Sequence, residues 1–267
     1  MTSIDMHTHA FPDALAPRAI AALEAGCDWQ AVAGGTVTEL IESMDQARID
    51  ISVVCAIATK PGQAAGILEW CRQIRSDRIV PLPSVHPQAP EAVRWLGKFA
   101  EAGFAGIKLH PMYQNFAADD PAMDAIYASA AECGLFIEIH SGRDIAFGQD
   151  DRATPARLAK ILDRHPNLRL VCTHLGGWRM WDEVERELLG RDVYLETSFS
   201  LALVGPERAA RIIRSHGAGR VMFGTDWPWA SQTEQMQLVE QMGLTEAESK
   251  ALLWDNAAAM LGIDSPQ

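Results

Sequence analysis

Six of the eight histidines in this chain close short apolar runs. His7 and His9 stand in Asp5-Met6-His7-Thr8-His9, His86 precedes Pro87, and His110 ends Lys108-Leu109-His110-Pro111. His140 ends Glu138-Ile139-His140, and His174 opens His174-Leu175-Gly176-Gly177. Only His165 and His216 fall at the ends of helical patterns instead. A further run closes in Gly224-Thr225-Asp226-Trp227-Pro228. Histidine is not among the residues that favour strands, so this placement points to chemistry. Imidazole nitrogen with carboxylate oxygen is a suitable donor set for zinc or a similar divalent ion. His7 and His9 are two apart on a strand, so their side chains point to the same side. His140 and Asp226 can supply a third and a fourth ligand, with one position left open for water or substrate. A pair of histidines two apart is common on surfaces and in cores; the signal is the whole set, each member at a strand end.

The elements that must position this set follow from the same runs. Ser3–His9, Ile51–Ala58, Ile79–His86, Ala105–His110, Leu135–His140, Leu168–His174, Val193–Ser198 and Val221–Asp226 read as strands buried on both faces. Helical patterns lie between them. Thr36-x-x-Glu39 is a capping box opening a helix to about Arg48, and Thr154-Pro155 gives a cap and then proline at the first helical position. Thr245-x-x-Glu248 opens a last helix through Leu261, closed by Gly262. Gly103, Gly134, Gly190 and Gly217 each stop a helix just before a strand. Eight strands alternating with helices predict parallel pairing in a single (β/α)8 TIM barrel over residues 1–267. An open doubly wound sheet is the competing architecture, but it would normally carry a glycine-rich phosphate loop after the first strand, and this chain has none. In such a barrel the active site lies at the C-terminal strand ends, where the histidines stand. The long connection from Ala10 to Gly35, with a helix-like stretch at Pro17–Gly26, would cover the barrel mouth. Ile51, Val53, Val54, Ile137, Val171, Leu195 and Val221 are the expected core.

Bulk properties set the outer limits. Apolar residues make up 48% and charged residues 22%, enough for a substantial core. The net charge of −12 disfavours binding to nucleic-acid backbones, although a local cationic pocket could still take a small anion. No basic, apolar leader opens the chain and no apolar run is long enough to span a membrane, so a soluble cytoplasmic protein without membrane partners is expected. The five cysteines are scattered and form no CxxC pair, which reads as free thiols in a reducing compartment, with Cys55 and Cys172 as small core residues.

Asp5-x-His7-x-His9, Gly106-Ile107-Lys108-Leu109-His110-Pro111, Ile139-His140-Ser141-Gly142, His174-Leu175-Gly176-Gly177 and Phe223-Gly224-Thr225-Asp226-Trp227-Pro228 together resemble the amidohydrolase superfamily, in the amidohydrolase-2 group. That group includes aminocarboxymuconate semialdehyde decarboxylase and related decarboxylases, hydratases and lactonases. By this resemblance His7, His9, His140 and Asp226 match metal ligands. His174 matches a histidine that serves as an acid/base or substrate contact in mononuclear relatives and binds the second metal in binuclear ones. Lys108 matches a lysine that binuclear relatives carry as a carbamate bridging two metals. Its other readings are a free ammonium for a substrate carboxylate, or an ion pair with Glu138. The resemblance therefore implies one or two divalent ions, zinc first and manganese as the other choice. Homodimers are frequent in the group.

The expected chemistry is hydrolysis of an amide, lactone or ester by metal-activated water, with Asp226 as ligand and proton acceptor and His174 stabilising the oxyanion. The alternative is non-oxidative decarboxylation of a small aromatic or unsaturated acid. A non-catalytic ligand-binding barrel would require a broken ligand set, and the set is intact. For substrate contacts the candidates are Arg143, as a partner for a carboxylate, His110, and a rim of tryptophans led by Trp178 and Trp227, with Trp181 and Trp229 beside them. Glu196 and Ser198 are expected to support the ligands from behind.

Overall fold

Each of the eight runs holds one parallel strand: β1 Ile4–Thr8, β2 Ile51–Cys55, β3 Ile79–Leu82, β4 Gly106–Leu109, β5 Phe136–Ile139, β6 Leu170–Cys172, β7 Tyr194–Glu196 and β8 Val221–Met222. They come from a computed structural model that describes residues 2–264. The strands neighbour one another in sequence order, in one ladder β1-β2-β3 and a second β4-β5-β6-β7-β8. Two seams join the ladders through a few isolated bonds each. Between β3 and β4, Lys108 N donates to Pro83 O at 2.9 Å and Ser84 Oγ to Lys108 O at 2.8 Å. Pro81 and Pro83 have no N–H to give, which is why a regular ladder stops there. Between β8 and β1, Met6 N donates to Phe223 O at 2.9 Å and Asp226 N to His7 O at 2.8 Å. This sequential order is that of an α/β barrel, and among the described residues no sheet with reversed strand order forms.

Burial follows two surfaces of the same strands. Inside, Ile4, Met6, Val53, Leu82, Phe136, Val171 and Met222 pack together, and Trp254, Ala257 and Met260 of the last helix join them. Outside, Val54, Ile107, Ile137, Leu170, Leu195 and Val221 pack against the helices. All seven expected core residues are buried, Ile51, Val53 and Val171 within the first cluster and the other four within the second.

The capping signals operate as read. Thr36 and Glu39 form the full capping box of the helix Val37–Ala47, and Thr154 accepts from Arg157 N ahead of Pro155. The final helix starts on the Thr245–Glu248 box and stops at Gly262, but a π-helical turn at Ala251–Asp255 interrupts it. That turn has a visible use: the carbonyl of Leu252 accepts from Phe223 N at 2.9 Å, so the helix supplies a partner to the backbone just past the two-residue β8. The connection after β1 carries a helix at Ala16–Glu24. No helix among the described residues is long and apolar enough to cross a membrane.

Candidate metal centre and its cavity

β1 does not run evenly into the site. Its register with β2 slips between Asp5 and Thr8, a β-bulge. Met6 therefore packs in the inner core and its neighbour His7 still faces the cavity, while Asp5 turns to Thr225, Gln232 and His7 N. Asp5 accepts from Thr225 N at 2.9 Å, Thr225 Oγ1 at 2.6 Å and Gln232 Nε2 at 2.8 Å. It thus fastens the end of β1 to the segment that carries Asp226. Burial raises this carboxyl to about 7 against the pull of those bonds.

At the mouth, His7 Nε2, His9 Nε2 and Asp226 Oδ1 converge. The two nitrogens are 3.1 Å apart, and the carboxylate oxygen is 3.3 Å from His7 and 3.2 Å from His9. Hydrogen bonding at the far side of each ring fixes what these atoms offer. His7 Nδ1 lies 3.0 Å from Glu196 Oε1, and His9 Nδ1 lies 2.9 Å from the carbonyl of Cys55. Both Nδ1 atoms are therefore the donors, and both Nε2 atoms turn lone pairs toward each other and toward a carboxylate, with the Lys108 ammonium 3.1 Å from the Nε2 of His7. Three electron pairs aimed at one point repel unless a cation lies between them. A tetrahedral ion with bonds of about 2.0–2.1 Å would hold its ligands roughly 3.3 Å apart, which is the spacing found. The residues fit a divalent metal on this ground.

His140 takes a different place from the one expected. It groups with His110 and Asp144, not with the other three donors. Its Nε2 donates to Arg143 O at 3.0 Å, its ring stacks on His110 with centroids 4.1 Å apart, and its Nδ1 faces His174 Nε2 at 3.1 Å. His174 Nδ1 donates to Ser198 O at 2.9 Å, so here too two lone pairs meet. The histidines thus form two adjoining foci, one around His7, His9 and Asp226 and one between His140 and His174.

Lys108 is fully buried and does not line the cavity. Its ammonium donates to Glu138 Oε1 at 2.9 Å and to His7 Nε2 at 3.1 Å, which is the ion-pair arrangement among its three readings. Burial works against its charge, yet Glu138, Cys55 and Glu196 hold its pKa above the ordinary value. Burial together with Lys108 and the neighbouring rings pushes His7 well below the usual range. Burial and His140 lower His174 to about 3.

Glu196 sits behind both foci. Its Oε1 takes His7 Nδ1, the backbone N–H of His174 at 3.0 Å and Ser198 Oγ at 2.6 Å, and its Oε2 takes Ser198 N at 2.6 Å. Asp226, His174 and Phe199 all have positive φ, conformations that non-glycine residues hold only when the surroundings impose them. Asp144, which follows Arg143 just after β5 and is expected with it at the mouth, lines the cavity and approaches His110 Nε2 at 3.3 Å, whereas no motif singles out Tyr113 or Phe199, which stand on the wall.

The cavity has a volume of about 470 Å³ and is lined mostly by apolar and aromatic groups above the donors. His110, Arg143 and Trp178 line it. Trp227 does not: at 1% exposure it is packed in the core, and Trp229, two residues on, takes the place on the wall. Trp181 packs beneath, with Nε1 donating to His174 O at 3.1 Å. His86 is buried outside the cavity. Phe11, Leu15, Leu23 and Cys27 reach in from the connection after β1, so that segment does cover the mouth.

Comparison with known proteins places this geometry. Two gamma-resorcylate decarboxylases match part of the chain, one from a Polaromonas species at 27% identity over 131 residues and one from Rhodococcus jostii at 27% over 141. The matched stretches cover 42% and 45% of this chain and only 40% and 42% of those proteins. The crystal structure of 5-carboxyvanillate decarboxylase from Sphingomonas paucimobilis superposes with a TM-score of 0.73 at 18% identity, over 98% of this chain and 99% of that one. The family model for amidohydrolases matches residues 4–263, and the chain is therefore an enzyme of the amidohydrolase family, whose members use a divalent metal.

Proposed function

We propose that the chain is a metal-dependent, non-oxidative decarboxylase of a small aromatic or unsaturated carboxylic acid. The observation that carries this reading is that both curated relatives bear the name of an aromatic-acid decarboxylase. That shifts the balance away from hydrolysis, the first expectation from the sequence, and toward its alternative. The cavity agrees with it: an apolar, aromatic-walled chamber suits a flat ring, and its donors are gathered at one end.

A divalent ion at His7, His9 and Asp226, zinc or manganese, would supply a Lewis-acidic anchor for substrate oxygen. The reaction needs one proton delivered to the ring carbon as the bond to the carboxylate breaks, its electron pair stays on the ring and carbon dioxide leaves. His174 is poorly suited to give that proton, because its Nε2 carries none and the ring is depressed to about 3. Asp226, on the cavity floor beside His7 and His9, is assigned the proton transfer: its carboxylate would take a proton from water or a substrate hydroxyl and pass it to the ring carbon, returning to the carboxylate form. Aromatic side chains such as Trp178, Phe199 and Trp229 hold the ring and exclude water.

The test is direct. The chain loaded with zinc or with manganese is incubated with gamma-resorcylate and 5-carboxyvanillate, and separately with small lactones and amides. Release of carbon dioxide from an aromatic acid, abolished by a chelator and lowered at least about a hundredfold in Asp226→Asn, is the expected result. Hydrolysis of a lactone or amide with no acid losing carbon dioxide would return the enzyme to the hydrolase reading.

A further inference from the structure

The cavity has two unlike parts. Its imidazoles, carboxylates and single guanidinium come from the ends of β1, β4, β5, β6 and β8 and the residues just after them. Along residues 10–27 and 55–70, by contrast, every residue on the wall is uncharged. Two helices shape this second part. From the cap of the helix Ala64–Ile74 onward, Gln63, Gly66, Ile67 and Trp70 recur at the three- and four-residue spacing of one helical face and line the cavity. Ala64 and Cys71 of the same helix point into the outer core instead. Around the helix Ala16–Glu24, Ala16 and Ile20 are buried, whereas Leu15 and Leu23, eight residues apart, reach the cavity.

Three observations say that this part is kept open for a ligand. Leu15 is 36% exposed, and neither it nor Leu23 packs in either of the two cores. Apolar surface left facing an open cavity is surface that a ligand can cover, with a gain for each methylene withdrawn from water. Gly66 has no backbone reason to be glycine. It needs no left-handed φ, a Cβ there would meet nothing within 4 Å, and glycine is a poor helix former. What its missing side chain does is leave room beside Ile67 and Trp70. Size is the third observation. A cavity of roughly 150 Å³ holds one benzene ring, so a chamber of about 470 Å³ has roughly three times the room that the ring of a monocyclic acid needs.

We propose that the uncharged part of the cavity, walled by Leu15, Leu23, Gly66, Ile67 and Trp70, is a subsite for an apolar substituent of the substrate. It is continuous with the histidine–aspartate centre, so one molecule can occupy both. The preferred substrate is then an acid whose ring carries an alkyl chain or a second ring, placed away from the group that reacts. This deepens the reading of the cavity as the substrate site and rests on it.

The test measures binding, without turnover. Meta- and para-methyl, butyl and hexyl benzoates are titrated by calorimetry into the full chain with manganese. In at least one of the two series affinity is expected to rise about two- to fourfold per methylene, and so at least about thirtyfold from methyl to hexyl. Gly66→Leu, which fills the space from an exposed helical position, should cut that gain to about threefold or less. Leu15→Asn, which sets an amide among the apolar groups, should lower it several-fold. Circular dichroism establishes that both variants fold, and leucine at position 66 favours the helix. Affinity that does not rise with chain length in either series, or a native chain that binds none of these acids, overturns the subsite. A full gain retained in both Gly66→Leu and Leu15→Asn does so too, because the chain would then lie elsewhere. If the gain holds and no aromatic acid loses carbon dioxide, the decarboxylase reading falls and the subsite stands; carbon dioxide release with no dependence on chain length does the opposite.

Discussion

Glu196 shows how one side chain can set the chemistry of another without itself lining the cavity. By accepting from His7 Nδ1 it leaves Nε2 as the acceptor that faces the centre, and by accepting from His174 N it holds a backbone with φ near +59°. Burial and the neighbouring Glu138 push its own carboxyl up to about 8, even with several N–H and O–H groups pointing at it. In Glu196→Gln the amide can still accept through its oxygen, but its NH2 would confront Ser198 N or His174 N. Cation affinity is therefore expected to drop about 10–100-fold, read by competition with a chromophoric chelator; unchanged affinity would remove Glu196 from this role. The cysteines divide by the same logic of environment. Burial pushes Cys71 and Cys172 up to about 12, whereas Cys27 and Cys133 are only partly covered. Iodoacetamide at neutral pH should label Cys27 and Cys133 and spare Cys71 and Cys172 until the chain unfolds, as mass spectrometry of the peptides would show. At this scale the sequence was legible where spacing alone fixes direction: His7 and His9, two apart on a strand, do share a side with Asp226. It was not legible where a partner far along the chain decides. His140 is drawn aside by Arg143 O and His174, Lys108 is captured by Glu138, and the alternation after Asp226 puts Trp229, not Trp227, on the wall.

Elements were easier to read than their ends. Strand cores and capping boxes depend on local residues, so the eight strands and the Thr36, Thr154 and Thr245 caps fall where patterning put them. The ends depend on what the next element requires. Strands such as β1, β5 and β8 stop short of their runs where the last residues turn toward the site, β3 stops at its prolines, and the π-turn at Ala251–Asp255 answers a need of β8 that no local pattern in 245–262 displays. The box at Thr245 gives a pH-dependent prediction. Glu248 is bonded by Arg214 and by Thr245, which hold its carboxyl down to about 2. A depressed acid adds stability above its unfolded value and loses it as pH falls through the folded one. The melting temperature of the native chain should therefore exceed that of Glu248→Gln at neutral pH. The difference should shrink below about pH 4.5 and vanish near pH 2; a difference independent of pH would mean the ion pair and cap do not act this way. Gly142 is the corresponding backbone position. Gly142→Ala would drive a Cβ against Trp178 N in a left-handed conformation, and a loss of at least about 2 kcal/mol in denaturant titration is expected.

For the molecule as a whole, one of the two seams of the barrel and the candidate metal centre coincide. β8 is two residues long, and its seam with β1 rests on a few backbone bonds and on the Asp5 bracket to Thr225 and Gln232. His7 and His9 lie on one side of that seam and Asp226 on the other. A cation held by these three groups would bridge the seam as a cross-link between the first and last strands, and would relieve the repulsion of their converging lone pairs. Because the unfolded chain has no such site, binding must stabilise the fold by mass action. At a free metal concentration 100 times the dissociation constant the gain is about 2.7 kcal/mol. For a chain of this size that corresponds to a rise in melting temperature of roughly 5–10 °C. Calorimetric scans of chelator-treated protein should show this rise on adding zinc or manganese, and its loss in His9→Ala and in Asp226→Ala. Those variants should also melt no lower than the native chain without metal by more than a few degrees, since the removed groups oppose one another there. A rise that persists in both variants would place the cation elsewhere, with the pair of bare nitrogens between His140 and His174 as the next site to examine.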